Sequence, residues 1–217
     1  MDFGVVWRNL PYLLHGLTVT LQTAALVILG GTAFGIGTGI VRTSGIRVAR
    51  AAALAYIECM RGTPLLVVLF VVYFGLPPIV GYRFSAYQAA VLGFILFIGG
   101  YIAEDYRSGL AAVPSGQIEA GLASGLSPRQ ILWYVILPQA IRRMIPTLFN
   151  QFVRLLKFTS VASVIGVTEL TGAALAVNAR EFKPLQILLT LSVTYFLVCY
   201  LLSFVGRWLN QRYAIQS

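Results

Sequence analysis

The stretch Glu119-Ala120-Gly121-Leu122-Ala123-Ser124-Gly125, continued by Ser127-Pro128-Arg129-Gln130 and running to Pro138, is a polar interlude between long apolar runs. Pro114 and Ser115 open a helix, Glu119 is placed in its first turn where the helix dipole favours an anion, and Gly125 supplies a left-handed stop. Ser127-Pro128-Arg129-Gln130 has the form of a capping box with proline at the first helical position. It starts a second helix carrying Ile131, Leu132, Val135 and Ile136 and meeting Pro138. Two short helices joined by a glycine-serine turn make a rigid knob too polar to lie in lipid. A membrane protein that builds such a segment presents it to a soluble partner.

The rest of the chain is membrane-like. Hydrophobic residues make up 58% and charged residues 11% of the chain, and mean hydropathy is +0.82. Such values lie outside the range of ordinary soluble domains. Uncharged runs extend over His15–Val41, Gly62–Tyr82, Phe84–Ala103 and Pro184–Gly206. A helix crosses the hydrocarbon core with about 20 apolar residues, so each run is long enough. Four such runs in 217 residues leave no soluble shell to bury them. Residues 1–16 contain no compact apolar core of a signal peptide. Phe3, Val6, Trp7, Leu10 and Leu14 instead recur at helical spacing, which predicts an arm on the membrane surface.

A fifth apolar segment, Met144–Gly166, contains Asn150, Gln151, Arg154 and Lys157. Asn150, Arg154 and Lys157 fall at i, i+4 and i+7, one stripe of a helix. Two readings fit: a span with one lipid face and one polar interior face, or an interfacial helix with snorkelling cations. With the first, an all-α membrane protein of about five transmembrane helices is expected. The spans are 17–41, 54–77, 85–106, 144–166 and 185–207, with the polar helix at 115–125, in one domain covering 1–217.

Basic residues set the orientation. Arg42, Arg47 and Arg50 follow the first span, Arg107, Arg129, Arg142 and Arg143 surround the polar loop, and Arg207 and Arg212 follow the last span. Placing them in the cytoplasm puts the N-terminus outside and the C-terminus inside, with Arg8, Arg83, Arg180 and Lys183 as exceptions. The net charge of +9 is then a matter of topology, and no nucleic-acid partner is needed. Cys59 and Cys199 lie in or near apolar runs, and no metal-ligand spacing is present. There is no G-x-x-x-x-G-K-[S/T] loop, which excludes ATP hydrolysis by that route. Gly30, Gly31, Gly35, Gly37 and Gly39 cluster in the first span, as close helix packing requires.

The polar loop carries Glu119-Ala120-Gly121, then Gly125, then Val135-Ile136-Leu137-Pro138. This resembles the signature of integral-membrane subunits of ABC importers. Further motifs are similar to the subfamily that imports polar amino acids. They are Arg61-Gly62-Thr63-Pro64-Leu65-Leu66-Val67, Tyr73-Phe74-Gly75-Leu76-Pro77, Tyr101-Ile102-Ala103-Glu104, Val113-Pro114-Ser115-Gly116-Gln117 and Leu137-Pro138-Gln139-Ala140. Lys157, Thr159-Ser160, Val164-Ile165-Gly166-Val167 and Glu169-Leu170 extend the resemblance over nearly the whole chain.

The resemblance implies the MetI-like fold of type I ABC importers, in a bacterial cytoplasmic (inner) membrane. It implies a permease without catalytic activity or bound cofactor, whose partner ATPase subunits use ATP and magnesium in the cytoplasm. A second permease subunit, identical or not, and an external amino-acid-binding protein complete the assembly, with lipid around it. Glu119, Ala120, Gly121, Gly125, Leu137 and Pro138 are then the residues of ATPase coupling. The chain departs from the family pattern at Gly121 and Val135, size changes expected on a docking surface. It departs also at Val68 and Phe158, where a polar group is usual and its loss bears on substrate choice or marks a non-binding half of a heterodimer.

An amino acid offers a carboxylate and an ammonium, so its path needs a cation and an anion. Lys157 and Arg154 are candidates for the carboxylate, Glu169 and Glu104 for the amine, and Thr63, Thr159 and Ser160 for hydrogen bonds. The competing role is mutual pairing, as for Glu58 with Arg61 at i, i+3. A secondary amino-acid transporter is the alternative function, but internal repeats usual in such folds are not evident. Nor is a filter motif of a channel, and a structural scaffold leaves the polar knob unexplained.

Overall fold

The computed structural model describes residues 3–213, and no strand occurs among them. A short helix, α1 (Gly4–Arg8), is followed by α2 (Leu10–Thr43), unbroken over 34 residues. The chain continues through α3 (Arg47–Gly62), α4 (Leu65–Phe70), α5 (Pro77–Val80), α6 (Ala86–Ala111) and α7 (Ser115–Ala123). Then come α8 (Pro128–Ile131), α9 (Leu137–Phe158), α10 (Leu170–Glu181) and α11 (Pro184–Tyr213). Among these, α2, α6 and α11 are long and apolar enough to cross a bilayer.

The axis of the bundle is the pair α2 and α6. Gly31, Gly35 and Gly39 of α2 recur every four residues and form one face. A Cβ on them would strike Ile98, Ile102 and Tyr106 in turn, at Gly35 only 2.7 Å from Ile102 Cβ and 2.8 Å from the Gly99 carbonyl oxygen. Numbers rise together along both helices, so the two run parallel. Close approach therefore explains most of the glycine cluster, but not Gly37, which faces open space.

The expected span 54–77 is not one helix. Thr63 is extended (φ −100°, ψ 137°), as the residue before a proline prefers, and Pro64 follows. The axis turns by 114° between α3 and the segment Leu65–Val80. This segment packs on α6, where a Cβ at Gly93 would lie 2.7 Å from Leu69 Cδ2. The expected span 144–166 is corrected as well. Its helix begins earlier, at Leu137, and turns 3-10 over Thr159–Ile165 before a 48° bend into α10. The second helix of the polar loop continues past Pro138. Val71–Gly75 and Leu132–Ile136 are π turns lying just ahead of Pro77 and Pro138. Proline lacks an N–H and crowds the carbonyl four residues back, and the wider turn absorbs both defects without ending the helix.

The chain thus passes along the bundle repeatedly: α2 down, α3 to α5 back, α6 down, α9 and α10 back, α11 down. α9 runs antiparallel to α6, with Gly109 beside Met144 and Phe97 beside Phe158. The main core joins Val27 of α2, Leu69 of α4, Phe94, Phe97, Ile98 and Ile102 of α6, Leu155 of α9 and Ile165 of the 3-10 turn. The N-terminal arm packs on the chain by the side opposite its expected membrane face. Val5 is buried against a cluster with Leu13, Ala173, Ala174, Val177 and Ile187, whereas Phe3 and Trp7 are exposed. The arm docks on α10 and α11 through Val5, and Arg8 reaches Glu181 at the end of α10 at 3.7 Å.

Candidate functional site

The polar loop folds as an elbow at the ends of α6 and α9. Its first helix closes through two backbone bonds. The Gly125 N–H donates to the Leu122 carbonyl at 3.0 Å, and the Leu126 N–H donates to the Gly121 carbonyl at 3.1 Å. This is a Schellman motif, and it requires the left-handed backbone that Gly125 adopts at φ +78°. The capping box forms as the residue types dictate: the Gln130 N–H donates to Ser127 Oγ, and the Ser127 N–H donates to Gln130 Oε1 at 2.8 Å.

Two expectations for the elbow change. Glu119 is the fifth residue of α7 rather than part of its first turn, because the helix already begins at Ser115. Gly121 is not on the docking surface. It is the one buried residue of α7, and a Cβ there would meet Ile131 Cγ1 at 3.0 Å. Its small size lets α7 lie on α8. Glu119, Ala120 and Gly125 are exposed, Leu137 is half-buried and Pro138 exposed where α9 begins.

On α9, Gln139, Arg143, Thr147, Asn150, Arg154 and Lys157 fall along one face, at steps of three and four residues. Asn150, Arg154 and Lys157 are all exposed, so this face is turned away from the chain's own core. The buried polar residue of α9 is Gln151, whose side-chain amide donates to Asp105 at 2.9 Å. Arg154 lies over the Tyr101 ring, 5.6 Å from its centroid.

Glu104 is held by arginines from three helices. Arg42 of α2 donates to its Oε2, Arg107 of α6 donates to its Oε1 at 2.6 Å, and Arg61 of α3 approaches to 3.8 Å. Arg61 also reaches Glu58 at 3.6 Å, the pairing that the i, i+3 spacing suggests. Glu169 is 1% exposed and caps α10. Its carboxylate accepts from the N–H groups of Thr171 (3.0 Å) and Gly172 (2.9 Å) and from the hydroxyls of Tyr195 (2.9 Å) and Thr20 (3.3 Å). A buried charge is tolerated when its lone pairs are used this fully. Among the remaining candidates, Thr159 is buried and donates to the Leu156 carbonyl at 2.8 Å. Ser160 donates to the Lys157 carbonyl at 2.7 Å, and Thr63 is half-buried at the bend. The structure brings Glu104 and Arg154 to neighbouring places around Asp105 and Tyr101, and sets Glu169 apart.

Comparison with known proteins is decisive here. The family of binding-protein-dependent transport system inner membrane components matches residues 31–215. The chain belongs to this family.

The permease is 39% identical over 215 residues to the glutamine transport system permease protein GlnP of Escherichia coli (strain K12), covering 99% of this chain and 98% of that protein. It is 29% identical over 212 residues to the arginine transport system permease protein ArtQ of Bacillus subtilis (strain 168), covering 98% and 97%. Among solved structures, an amino acid ABC transporter crystallised with histidines matches at TM-score 0.94 and 32% identity, over 98% of this chain and 99% of that one. An inward-facing form of the MetNI methionine ABC transporter matches at TM-score 0.79 and 22% identity, over 99% and 100%, and shows the shared fold. The permease is therefore a multi-pass membrane subunit of an ABC importer with the MetI-like fold, and ATP hydrolysis belongs to a separate subunit.

Two departures from the family pattern now have places. Val68 is 5% exposed in the main core, so the missing polar group would have been buried there rather than presented to solvent. Phe158 is half-buried with its ring edge against Phe97 at 5.9 Å. The Arg42–Glu104 pair, the Gln151–Asp105 bond and the Tyr195–Glu169 bond have no local signal, since only the i, i+3 pair of Glu104 and Arg107 is visible in neighbouring residues.

Proposed function

We propose that this permease imports polar amino acids of the glutamine type, paired with a second permease subunit across the polar face of α9. The observation that carries this reading is that face itself. Asn150, Arg154 and Lys157 are exposed on a helix that lies within the membrane bundle. A charge facing hydrocarbon costs several kcal/mol, whereas one facing a partner subunit and a water-filled path does not. The same face then becomes the shared wall of a transport path.

In this reading α7 is the handle. Glu119 and Ala120 meet a groove on a cytoplasmic ATPase, and Gly125 fixes the angle between α7 and α8. The unbroken run from α8 through the π turn into α9 transmits the displacement to the polar face. The ends of α2, α6 and α11 with Arg42, Arg107 and Arg207 then lie on the cytoplasmic side, and Arg8, Arg180 and Lys183 outside. This orientation puts the N-terminus outside. ATP and magnesium are used on the ATPase, and an external binding protein delivers the amino acid. Along the path, Arg154 and Lys157 meet the carboxylate. Glu104, held by arginines of three helices, shapes the wall, while Thr63 and Ser160 supply hydrogen bonds. Thr159 and Glu169 support the wall.

Reconstitution tests the reading. Detergent-solubilised permease is expected to co-purify with its ATPase subunits, and proteoliposomes of the complex to accumulate radiolabelled glutamine only with ATP and the binding protein. Accumulation by the permease alone, without any ATPase, would refute it.

A further inference from the structure

We propose that the trough between α9 and α11 is a carboxylate site that admits neutral and acidic amino acids and rejects cationic ones. Two adjoining hollows of about 360 and 210 Å³ share Ser203 and Arg207 and run along the groove between these helices. Lys157 stands at one end, level with Tyr195 and Cys199 near the middle of α11. Arg207 stands at the other, with Asn150 and Phe149 beside it. The Arg207 guanidinium lies over the rings of Tyr200 and Phe204, 5.8 and 5.9 Å from their centroids, which positions it without neutralising it.

The decisive feature is the missing countercharge. Neither α9 nor α11 contains an Asp or Glu anywhere in its length. Neither Lys157 nor Arg207 forms an ion pair among the described residues. The nearby acids are occupied elsewhere: Glu104 by arginines, Asp105 by Gln151, and Glu169 by four donors at the start of α10. The ammonium of Lys157, in the last turn of α9 and level with the middle of α11, must meet either water or an anion. A carboxylate supplies the anion, and Asn150, Ser203 and Tyr200 supply hydrogen bonds to a polar side chain. A second cationic side chain would meet two like charges with no acid beside them to offset the repulsion. A second copy of this chain would bring the same acid-free helices, so pairing does not alter the sign.

This proposal rests on the importer reading, and its test separates the two. The assembled complex with its ATPase, in nanodiscs of phosphatidylcholine, is titrated with radiolabelled glutamate, glutamine and lysine. Glutamate and glutamine are expected to bind at least tenfold more tightly than lysine. Lys157→Met and Arg207→Met should each weaken glutamate binding at least tenfold, Lys157→Arg should retain it, and Lys157→Glu should shift preference towards lysine. Arg50→Gln, which removes a like charge outside the trough, should bind as wild type. Equal binding of lysine, or unchanged selectivity in Lys157→Glu, would overturn the proposal while ATP-driven uptake still upheld the importer. Loss of glutamate binding when phosphatidylglycerol is added would assign the trough to lipid phosphate and overturn it too.

Discussion

The Tyr195 hydroxyl donates to Glu169 at 2.9 Å, tying the middle of α11 to the N-cap of α10. Thr20 of α2 joins the same node twice: its hydroxyl donates to Glu169 and accepts from the Leu170 N–H at 3.1 Å. Three passes of the chain therefore meet at one buried carboxylate.

That node should govern stability. Glu169→Ala leaves the Thr20 and Tyr195 hydroxyls and two helix-start N–H groups without their acceptor. Each buried donor so orphaned costs about 1–3 kcal/mol. A clear fall in the thermal midpoint of the solubilised complex is expected, larger than for Tyr195→Phe, which removes one donor and leaves the cap. An unchanged midpoint in Glu169→Ala would remove the node's structural role.

The ion cluster offers a contrast between two arginines on one acid. Arg42 pairs with Glu104 where both side chains are under 20% exposed, whereas Arg107 is 42% exposed and only three residues away on the same helix. Surface i, i+3 pairs contribute about 0.3–0.5 kcal/mol. Arg42→Ala should therefore destabilise the α2–α6 contact distinctly more than Arg107→Ala, as read by urea or thermal unfolding in detergent. Equal effects would mean that Glu104 is satisfied by either partner.

Two glycines of α2, two residues apart, should behave oppositely. Gly35→Ala drives a methyl into Ile102 and the Gly99 carbonyl, and the helices must separate. Gly37→Ala meets nothing within 4 Å and gains up to about 1 kcal/mol of helix propensity. Expression level and thermal midpoint should fall for the first and hold or rise for the second.

At the elbow, Glu119→Ala touches an exposed side chain and should leave the fold intact while lowering transport-coupled ATPase activity. Gly125→Val forces a β-branched residue into the left-handed region at a cost of about 1–2 kcal/mol or more. It should misplace α7 and uncouple transport from hydrolysis. Wild-type coupling in both variants would remove α7 as the handle.

Much of this molecule is legible in its residues. The apolar runs, the capping box at Ser127, the left-handed stop at Gly125 and the glycine face of α2 all depend on neighbours within a few positions, where propensity and sterics act directly. The expectations that changed depend on packing at a distance or on a local signal that hydropathy does not read. Gly121 was legible as small but not as buried, because its partner Ile131 reaches it only after Gly125 turns the chain. The run 54–77 was legible as apolar, yet hydropathy says nothing of the 114° bend that Thr63 and Pro64 make.

The sequence by itself determined that the chain lives in a membrane, which runs are apolar enough to cross it, and where a polar elbow interrupts them. Lipid imposes these on every apolar run, because backbone groups there are satisfied only within a helix. Tertiary structure alone decided which charges are spent and which are open. Glu104 and Glu169 meet partners 62, 149 and 26 residues away, while Lys157 on the outer face of α9 meets none of the acids. A charge has the same sign in any sequence, but its availability depends on what packing sets beside it.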